Sequence, residues 1–222
     1  MLRELAHFLR NAPELGAKQR QLGKGEFSEW LNARIDEQGF AVYRRDLAAG
    51  LVGRVLEIGC GTGAMFPYYD PAAVVDAIEP DPAFRERAQA RARDFASIRV
   101  VDGNAMRLDF DAGEFDAVLV SLVLCSVPSV EQVIREVHRV LRPGGRLRAL
   151  EHVRSQAPLG GLLMHAANPV WRFANKQGCN MNRRPLPIIE AAGFVIERHR
   201  DFQTFDTLMP AFPLQRIDAI RA

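Results

Sequence analysis

Short apolar runs alternate with amphipathic stretches from residue 54 to the C-terminus. The apolar runs are typical of buried strands, and they predict strands at 54–58, 73–78, 98–101, 115–120, 146–150, 194–199 and 213–220. Apolar residues at helical spacing predict helices between them, at 82–96, 130–141 and 186–192. Strands that alternate with helices form parallel sheets with both faces covered. The pattern therefore predicts an α/β fold with a seven-stranded, mostly parallel sheet.

Helical patterns replace this alternation in the first fifty residues. They predict a short helix that Pro13 bounds, a second helix over 27–40 that stops at Gly39, and a third that reaches Gly50. We expect these helices to form an N-terminal cap.

Residues 153–185 interrupt the alternation of strands and helices again, because they are rich in glycine and proline. An insertion this long after a strand is typical of a functional segment such as a lid. We therefore expect a cap over 1–50 and one domain over 51–222 that carries a lid-like insertion.

Composition excludes several classes of protein. The chain has 222 residues, with 29 Lys and Arg against 27 Asp and Glu, and a net charge of +2 is too small for an electrostatic nucleic-acid binder. Cys60, Cys125 and Cys179 are far apart and odd in number, so we expect no metal site and a reducing, cytoplasmic setting. No apolar run reaches the ~20 residues of a membrane helix, and the charged N-terminus does not resemble a signal peptide.

A glycine-rich loop follows the first strand, in the sequence Glu57-Ile-Gly-Cys-Gly-Thr-Gly63. Glycines at 59, 61 and 63 allow a sharp turn and a close approach of a ligand to main-chain N–H groups. Glu79 lies twenty residues beyond Gly59, where an acidic side chain can accept hydrogen bonds from both ribose hydroxyls. The ligand is therefore expected to contain an adenine nucleoside.

Two ligand classes fit this loop: a dinucleotide, and another adenine nucleoside derivative that carries a positively charged amino group. Gly59 to Ala64 also matches the relaxed dinucleotide fingerprint. Glu57, however, is unfavourable next to a pyrophosphate, whereas its carboxylate can meet a positively charged amino group. Two further motifs accompany the loop, Asp102-Gly-Asn-Ala-Met106 and Arg139-Val-Leu-Arg-Pro-Gly-Gly145.

In combination these motifs resemble those of class I S-adenosylmethionine (SAM) dependent methyltransferases, from about Arg44 to the C-terminus. The resemblance implies a Rossmann-like fold, SAM as cofactor and a SAM-binding domain over 51–222. It also implies the cofactor-binding residues, which would be Glu57, Gly59, Cys60, Gly61, Gly63, Glu79, Pro80, Asn104, Ala105 and Leu122. The glycines would approach the methionine half, Glu79 the ribose, and Asn104 with Ala105 the adenine.

A narrower resemblance is to the thiol S-methyltransferases, some of whose animal members are membrane-bound. It rests on Leu122-Val-Leu-Cys-Ser-Val127, Glu151-His-Val153, Asn168-Pro-Val-Trp171 and Gly178-Cys-Asn180. The resemblance implies a thiol acceptor. Because the apolar N-terminal segment of the animal members has no counterpart here, we expect no integral membrane segment. The cysteines and the small net charge indicate a cytoplasmic protein without a nucleic-acid partner, and the resemblance implies a small-molecule acceptor.

His152 is the candidate general base, because it follows the fifth predicted strand on the edge where open parallel sheets bind ligands. A structural histidine is the alternative. A thiol with a pKa of ~8.5 is partly ionised at neutral pH and needs less help than an amine or hydroxyl. The expected acceptor pocket contains Cys125, His165, Trp171, Cys179 and Asn180, with no protein thiol acting as a nucleophile.

Three other functions stay open on the sequence. The chain could methylate oxygen, nitrogen or carbon of a quinone, natural product or phospholipid headgroup. It could bind SAM without catalysis. It could also be a nicotinamide dehydrogenase, which would retain NAD instead of SAM.

Overall fold

One seven-stranded sheet organises the computed structural model, which describes residues 2–174, 178–203 and 213–222. The strands are β1 (Gly53–Ile58), β2 (Ala73–Ile78), β3 (Ile98–Val101), β4 (Phe115–Ser121), β5 (Leu141–His152), β6 (Phe194–Gln203) and β7 (Pro213–Arg221). Their order across the sheet is β3-β2-β1-β4-β5-β7-β6. The pairs among β1 to β5 are parallel, whereas β7 is antiparallel to both β5 and β6. The predicted α/β fold is confirmed.

The helices of the described residues are α1 (Leu2–Gln21), α2 (Lys24–Ile35), α3 (Ala41–Ala48), α4 (Pro82–Ala92), α5 (Val130–Val140), α6 (Pro158–Ala174) and α7 (Pro185–Ala191). A π-helical turn, Asp36–Phe40, joins α2 to α3, and Gly39 within it has a φ of 104°. The predicted stop at Gly39 is therefore confirmed. The predicted boundary at Pro13 is wrong, because α1 continues through it. An internal proline removes one backbone hydrogen bond and can kink a helix without ending it.

The hydrophobic core has two parts, which are clusters of buried residues. In one part α5 packs with Val133, Ile134, Val137 and Val140, none of which exposes any surface. The other part joins α3 and the residues after the glycine loop to the sheet, through Leu47 and Phe66 among others. Both faces of the sheet are thus covered, which agrees with the apolar strands.

The sheet also determines where a ligand can bind. The strand order reverses at β1, which lies between β2 and β4. Open parallel sheets bind ligands in the crevice at the carboxyl ends of the strands beside such a reversal. The glycine loop follows β1 directly, so it lies at this crevice.

The segment between β5 and β6 contains α6 and α7. Leu159, Leu162, Leu163 and Val170 of α6 are exposed. The function of this insertion as a lid stays a prediction. Within the described ranges, no helix combines the length and the apolar character that crossing a bilayer requires.

Candidate functional site

The glycine loop is held against the end of β2. The N–H groups of Gly59 and Cys60 both donate to the Ile78 carbonyl, at 2.9 and 3.1 Å. A Cβ on Gly59 would lie 2.6 Å from a Val123 methyl group, so this glycine allows the loops after β1 and β4 to approach each other. Gly61 differs, because no atom lies within 4 Å of the position its Cβ would take. The open space beside Gly61 belongs to a cavity.

This cavity has a volume of about 460 Å³, within the ~300–1,000 Å³ of small-molecule sites. Most of the residues predicted to bind the cofactor line it, namely Glu57, Gly59, Cys60, Gly61, Glu79, Pro80, Asn104, Ala105 and Leu122. Gly63 is the exception among those predicted. A Cβ at Gly63 would lie 2.5 Å from the Phe66 ring, so the absence of a side chain allows that ring to pack against the loop.

Glu79 lies at the end of β2 and is 6% exposed. One carboxylate oxygen accepts from the Gly61 N–H at 2.9 Å, and the other accepts from the Asp81 N–H at 3.0 Å. Burial raises the pKa of Glu79, and these two N–H groups oppose the rise. A carboxylate has about four acceptor positions. Glu79 can therefore hold the loop and still accept hydrogen bonds from a ligand.

Glu57 is a second buried carboxylate in the cavity wall, with 2% exposure. The Tyr69 hydroxyl donates to it at 2.9 Å. Burial raises the pKa of Glu57 to about 7 even though the Tyr69 hydrogen bond and Arg44 lower it. A positively charged group that enters the cavity would favour the ionised form of Glu57.

The N-terminal helices were predicted as a cap, but none of their residues was included in the predicted cofactor-binding set. Arg44 of α3 lines the cavity together with three residues of α2, which are Lys24, Ser28 and Asn32. Arg44 is 4% exposed and donates to Asp36 at 2.8 Å and to Asn32 at 2.7 Å. The spacing of Ser28 and Asn32 was an available signal, since polar residues four apart share one face of a helix.

Asn104, Ala105 and Leu122 were predicted to bind the cofactor, and all three line the cavity. The Asn104 side chain accepts from the Met106 N–H at 2.9 Å and thus closes a turn. Ala105 lines the cavity beside it. Leu122 has a φ of 59°, which is strained for a residue with a Cβ, and its N–H donates to the Leu150 carbonyl at 2.8 Å. Strain of this kind is common at ligand sites.

Cys125, His152 and Cys179 come together behind the loop that follows β4. One ligand atom from each lies within 4.8 Å of the others, and Cys179 Sγ is 3.8 Å from His152 Nδ1. The expectation that these cysteines are too far apart to form a ligand pair is therefore wrong in three dimensions. The sheet brings the ends of β4 and β5 together, and the chain after α6 returns to them.

The electrostatics of this cluster follow from its contacts. A hydrogen bond between the two thiols lowers the pKa of Cys179 and raises that of Cys125, and His152 lowers that of Cys179 further. Glu151 is fully buried and accepts from the N–H groups of Val123, Leu124 and Cys125 at 2.9–3.3 Å. Burial nevertheless raises the pKa of Glu151 to about 7.

Of the other predicted acceptor-pocket residues, Asn180 and Trp171 lie beside this cluster and His165 does not. Asn180 is buried, and both its backbone N–H and its side-chain amide donate to the Cys125 carbonyl, at 2.8 and 2.9 Å. Trp171 is half-buried and lies close enough to Cys179 to lower the pKa of that thiol. His165 is exposed on α6, where its Nδ1 lies 3.2 Å from the Asn182 amide nitrogen. The structure therefore groups Cys125, His152, Trp171, Cys179 and Asn180, and leaves His165 on the surface.

The chain is similar in sequence to known methyltransferases. A family described as a methyltransferase domain matches residues 56–149. Thiol S-methyltransferase TMT1A of Homo sapiens is 38% identical over 154 residues, which are 66% of this chain and 62% of that protein. Phosphatidylethanolamine N-methyltransferase of Cereibacter sphaeroides is 33% identical over 57% of this chain and 62% of its own length. The chain thus spans about three fifths of the length of the curated relatives that it matches.

Solved structures share the fold. The YcgJ protein of Bacillus subtilis superposes with a TM-score of 0.67 at 16% identity, over 82% of this chain and 97% of that chain. A geranyl diphosphate methyltransferase solved with SAM superposes with a TM-score of 0.67 at 19% identity, over 90% and 92%.

Proposed function

Because the chain carries a class I SAM-dependent methyltransferase domain and resembles the thiol S-methyltransferases, we propose that it transfers a methyl group from SAM to a small-molecule thiol. The proposed cofactor site is the 460 Å³ cavity at the carboxyl edge of the sheet. The observation that carries the proposal is the pair of buried carboxylates, Glu57 and Glu79, in the wall of that cavity.

These carboxylates favour SAM over a dinucleotide. A pyrophosphate beside the glycine loop would meet Glu57, and burying like charges together is costly. SAM instead brings an ammonium and a sulfonium group, both positive. Glu57 gains an opposite charge, and the raised pKa that burial causes would fall when the cofactor binds.

The residues present fit each part of SAM. Gly61 leaves open space in a cavity wall, which allows a ligand to approach the main chain. Glu79 has acceptor capacity for ribose hydroxyls beyond its two backbone bonds. Asn104 and Ala105 lie in the wall where the family resemblance implies the adenine. SAM would supply the activated methyl group, so the protein has to align the acceptor with it and exclude competitors.

A thiol acceptor is supported by the identity to thiol S-methyltransferases and by chemistry. A thiol ionises near pH ~8.5, so its methylation needs less base catalysis than that of an amine or hydroxyl. A catalytic function for His152 stays a prediction. So do the cytoplasmic location and the absence of a nucleic-acid partner.

A second candidate acceptor class is favoured by specific relatives. Phosphatidylethanolamine N-methyltransferase of Cereibacter sphaeroides is 33% identical over 57% of this chain, and demethylmenaquinone methyltransferase of Lysinibacillus sphaericus is 29% identical over 58% of it. A phospholipid headgroup or a quinone is therefore the alternative to a thiol.

An acceptor panel tests the proposal. Release of S-adenosylhomocysteine is measured with small and alkyl thiols, phenols, amines, quinols and phosphatidylethanolamine vesicles. We expect turnover with thiols. Turnover with phenols, amines, quinols or vesicles alone would overturn the thiol assignment and leave the methyltransferase assignment intact.

Cofactor binding is measured separately, by calorimetric titration with SAM and with NAD. We expect binding of SAM and none of NAD. Binding of NAD without SAM would overturn the cofactor assignment itself, whereas SAM binding with no turnover on any acceptor would indicate a non-catalytic SAM-binding protein.

A further inference from the structure

The cluster of Cys125, His152 and Cys179 has the composition and spacing of a metal site. Two sulfurs and one imidazole nitrogen lie within 4.8 Å of one another, and one sulfur–nitrogen separation is 3.8 Å. A tetrahedral zinc ion with bonds of about 2.3 Å to sulfur and about 2.0 Å to nitrogen has ligand–ligand distances of about 3.5–3.8 Å. Small side-chain movements would therefore suffice for all three to bind one ion.

The backbone around the three ligands is held by buried hydrogen bonds. Glu151 accepts three successive N–H groups that end at Cys125, and Asn180 donates twice to the Cys125 carbonyl. Asn180 is next to Cys179 in sequence, so the same contacts hold both cysteines in place. His152 is fixed as the last residue of β5 by its pairing with Leu214 of β7. Metal sites whose ligands are held in this way lose little freedom when the ion binds.

We propose that Cys125, His152 and Cys179 bind a zinc ion through two thiolates and one imidazole. Soft thiolate and imidazole ligands select zinc over magnesium or calcium. Cys179 and His152 are partly exposed, which leaves a path for the ion to enter.

Three protein ligands leave the fourth position of a tetrahedral zinc open. Cys125 Sγ lies 3.5 Å from both the Leu122 carbonyl oxygen and the Ser126 hydroxyl oxygen, and both of these residues line the cavity. The site is therefore immediately behind the wall of the proposed SAM cavity.

Resting on the proposed function, we assign the fourth position to the sulfur of the acceptor thiol. The acceptor loses its S–H proton to solvent when its sulfur binds. A sulfur–methyl bond then forms while the methyl–sulfonium bond of SAM breaks, so no oxidant or reductant is needed. In this arrangement His152 is a ligand and not a general base.

The test is zinc binding by the 222-residue chain, reduced and freed of metal. Zinc is titrated against a chromogenic chelator, and the metal content is measured after gel filtration. We expect one zinc per chain. Cobalt(II) as a probe should give the thiolate charge-transfer band and the visible bands of a tetrahedral ion.

Cys125→Ser, Cys179→Ser and His152→Ala should each weaken zinc binding at least tenfold, whereas Cys60→Ser and His199→Ala should keep one zinc per chain. Circular dichroism checks that each variant is folded. The site would be overturned if the folded wild-type chain bound no zinc, or if the serine variants at 125 and 179 bound zinc as tightly as the wild type.

Calorimetry with SAM separates this proposal from the proposed function. Wild-type chain that binds SAM but no zinc contradicts the metal site alone. Chain that binds zinc but turns over no thiol supports the metal site and contradicts the acceptor assignment. An alkyl thiol should shift the visible bands of the cobalt form, and unchanged bands at saturating thiol would contradict the fourth-ligand assignment.

Discussion

At the scale of single residues, the missing side chain of Gly61 helps to keep the cavity open. Gly61 has a φ of 56°, and no atom lies within 4 Å of its would-be Cβ. Gly144 has the same properties, with a φ of 74° and open space, but it is in the irregular part of β5 away from the cavity lining. Substitutions at these two glycines therefore distinguish the cost of backbone strain from the effect of a side chain that enters the cavity.

Gly61→Ala and Gly144→Ala should both destabilise the fold by about 1–3 kcal/mol, the usual cost of a left-handed residue with a Cβ. Only Gly61→Ala should also weaken SAM binding, at least tenfold, because its methyl group enters the space beside the loop. Urea unfolding measures the first effect and calorimetric titration the second. Equal SAM affinity in the two variants would remove Gly61 from the binding surface.

Glu57 makes the stability of the protein depend on pH. Its pKa rises from an ordinary 4.5 in the unfolded chain to about 7 in the folded one, because of burial. Between these values the folded state holds a proton that the unfolded state has lost. The contribution of Glu57 to the free energy of unfolding is therefore full below pH 4.5 and falls as the pH rises towards 7, by roughly 3 kcal/mol in all.

Glu57→Gln removes this dependence and keeps an acceptor for the Tyr69 hydroxyl. Without cofactor, the free energy of unfolding of the variant minus that of the wild type should be roughly 2–3 kcal/mol larger at pH 8 than at pH 5. Urea unfolding at both pH values measures the difference in the free energy of unfolding between variant and wild type. The contributions of the other titrating groups are the same in both proteins and cancel in this difference. A difference that is the same at pH 5 and pH 8 would contradict the raised pKa.

At the scale of elements, α6 is attached to the rest of the domain through buried amides. The Asn168 side chain accepts from the Met181 N–H at 2.9 Å and donates to the Asn180 side chain at 3.3 Å. Asn168 is 8% exposed and Asn180 is 7% exposed, so neither amide can replace these bonds with water. These contacts link α6 to the segment that carries Cys179.

Asn168→Ala should therefore lower the free energy of unfolding by about 2–4 kcal/mol, because it leaves a buried N–H and a buried amide oxygen unpaired. Asn182→Ala is the matched control on the same insertion. The Asn182 amide contacts exposed His165, so its loss should cost less than about 0.5 kcal/mol. Urea unfolding compares the two, and equal losses would show that the Asn168 contacts contribute little.

At the scale of the whole molecule, the cavity is closed on one side by helices that precede the sheet in the chain. Lys24, Ser28 and Asn32 of α2 line the cavity, and Arg44 of α3 does so from a buried position. Ligand binding should therefore stabilise the N-terminal helices together with the glycine loop.

Amide hydrogen exchange tests this coupling. Saturating SAM should slow exchange at least fivefold in α2 as well as in residues 59–65. The paired strands β6 and β7 serve as the internal reference, since none of their residues line the cavity. Protection of the glycine loop with no change in α2 would indicate that the N-terminal helices do not contribute to the bound state.

Periodicity predicted the fold because burial acts on each element separately. Strands 73–78 and 98–101 match the observed β2 and β3, and the apolar side of α5 is fully buried as predicted. The glycine loop and Glu79 were identifiable because a turn at the end of a strand needs specific residues at short spacing. The course of α1 through Pro13 was not, since an internal proline removes one backbone hydrogen bond without having to end the helix.

The sequence by itself determined the order of the strands along the chain, the loop after β1 and the class of ligand that its carboxylates favour, because these depend on neighbours within a few residues. Only the tertiary structure decided that Arg44 and Asn32 form part of the cavity wall and that Cys125, His152 and Cys179 meet. Both groupings join residues far apart in sequence. Cys125 and His152 meet because the neighbouring parallel strands β4 and β5 bring their carboxyl ends to one edge of the sheet, whereas Arg44 and Asn32 reach the cavity because α2 and α3 pack beside the glycine loop.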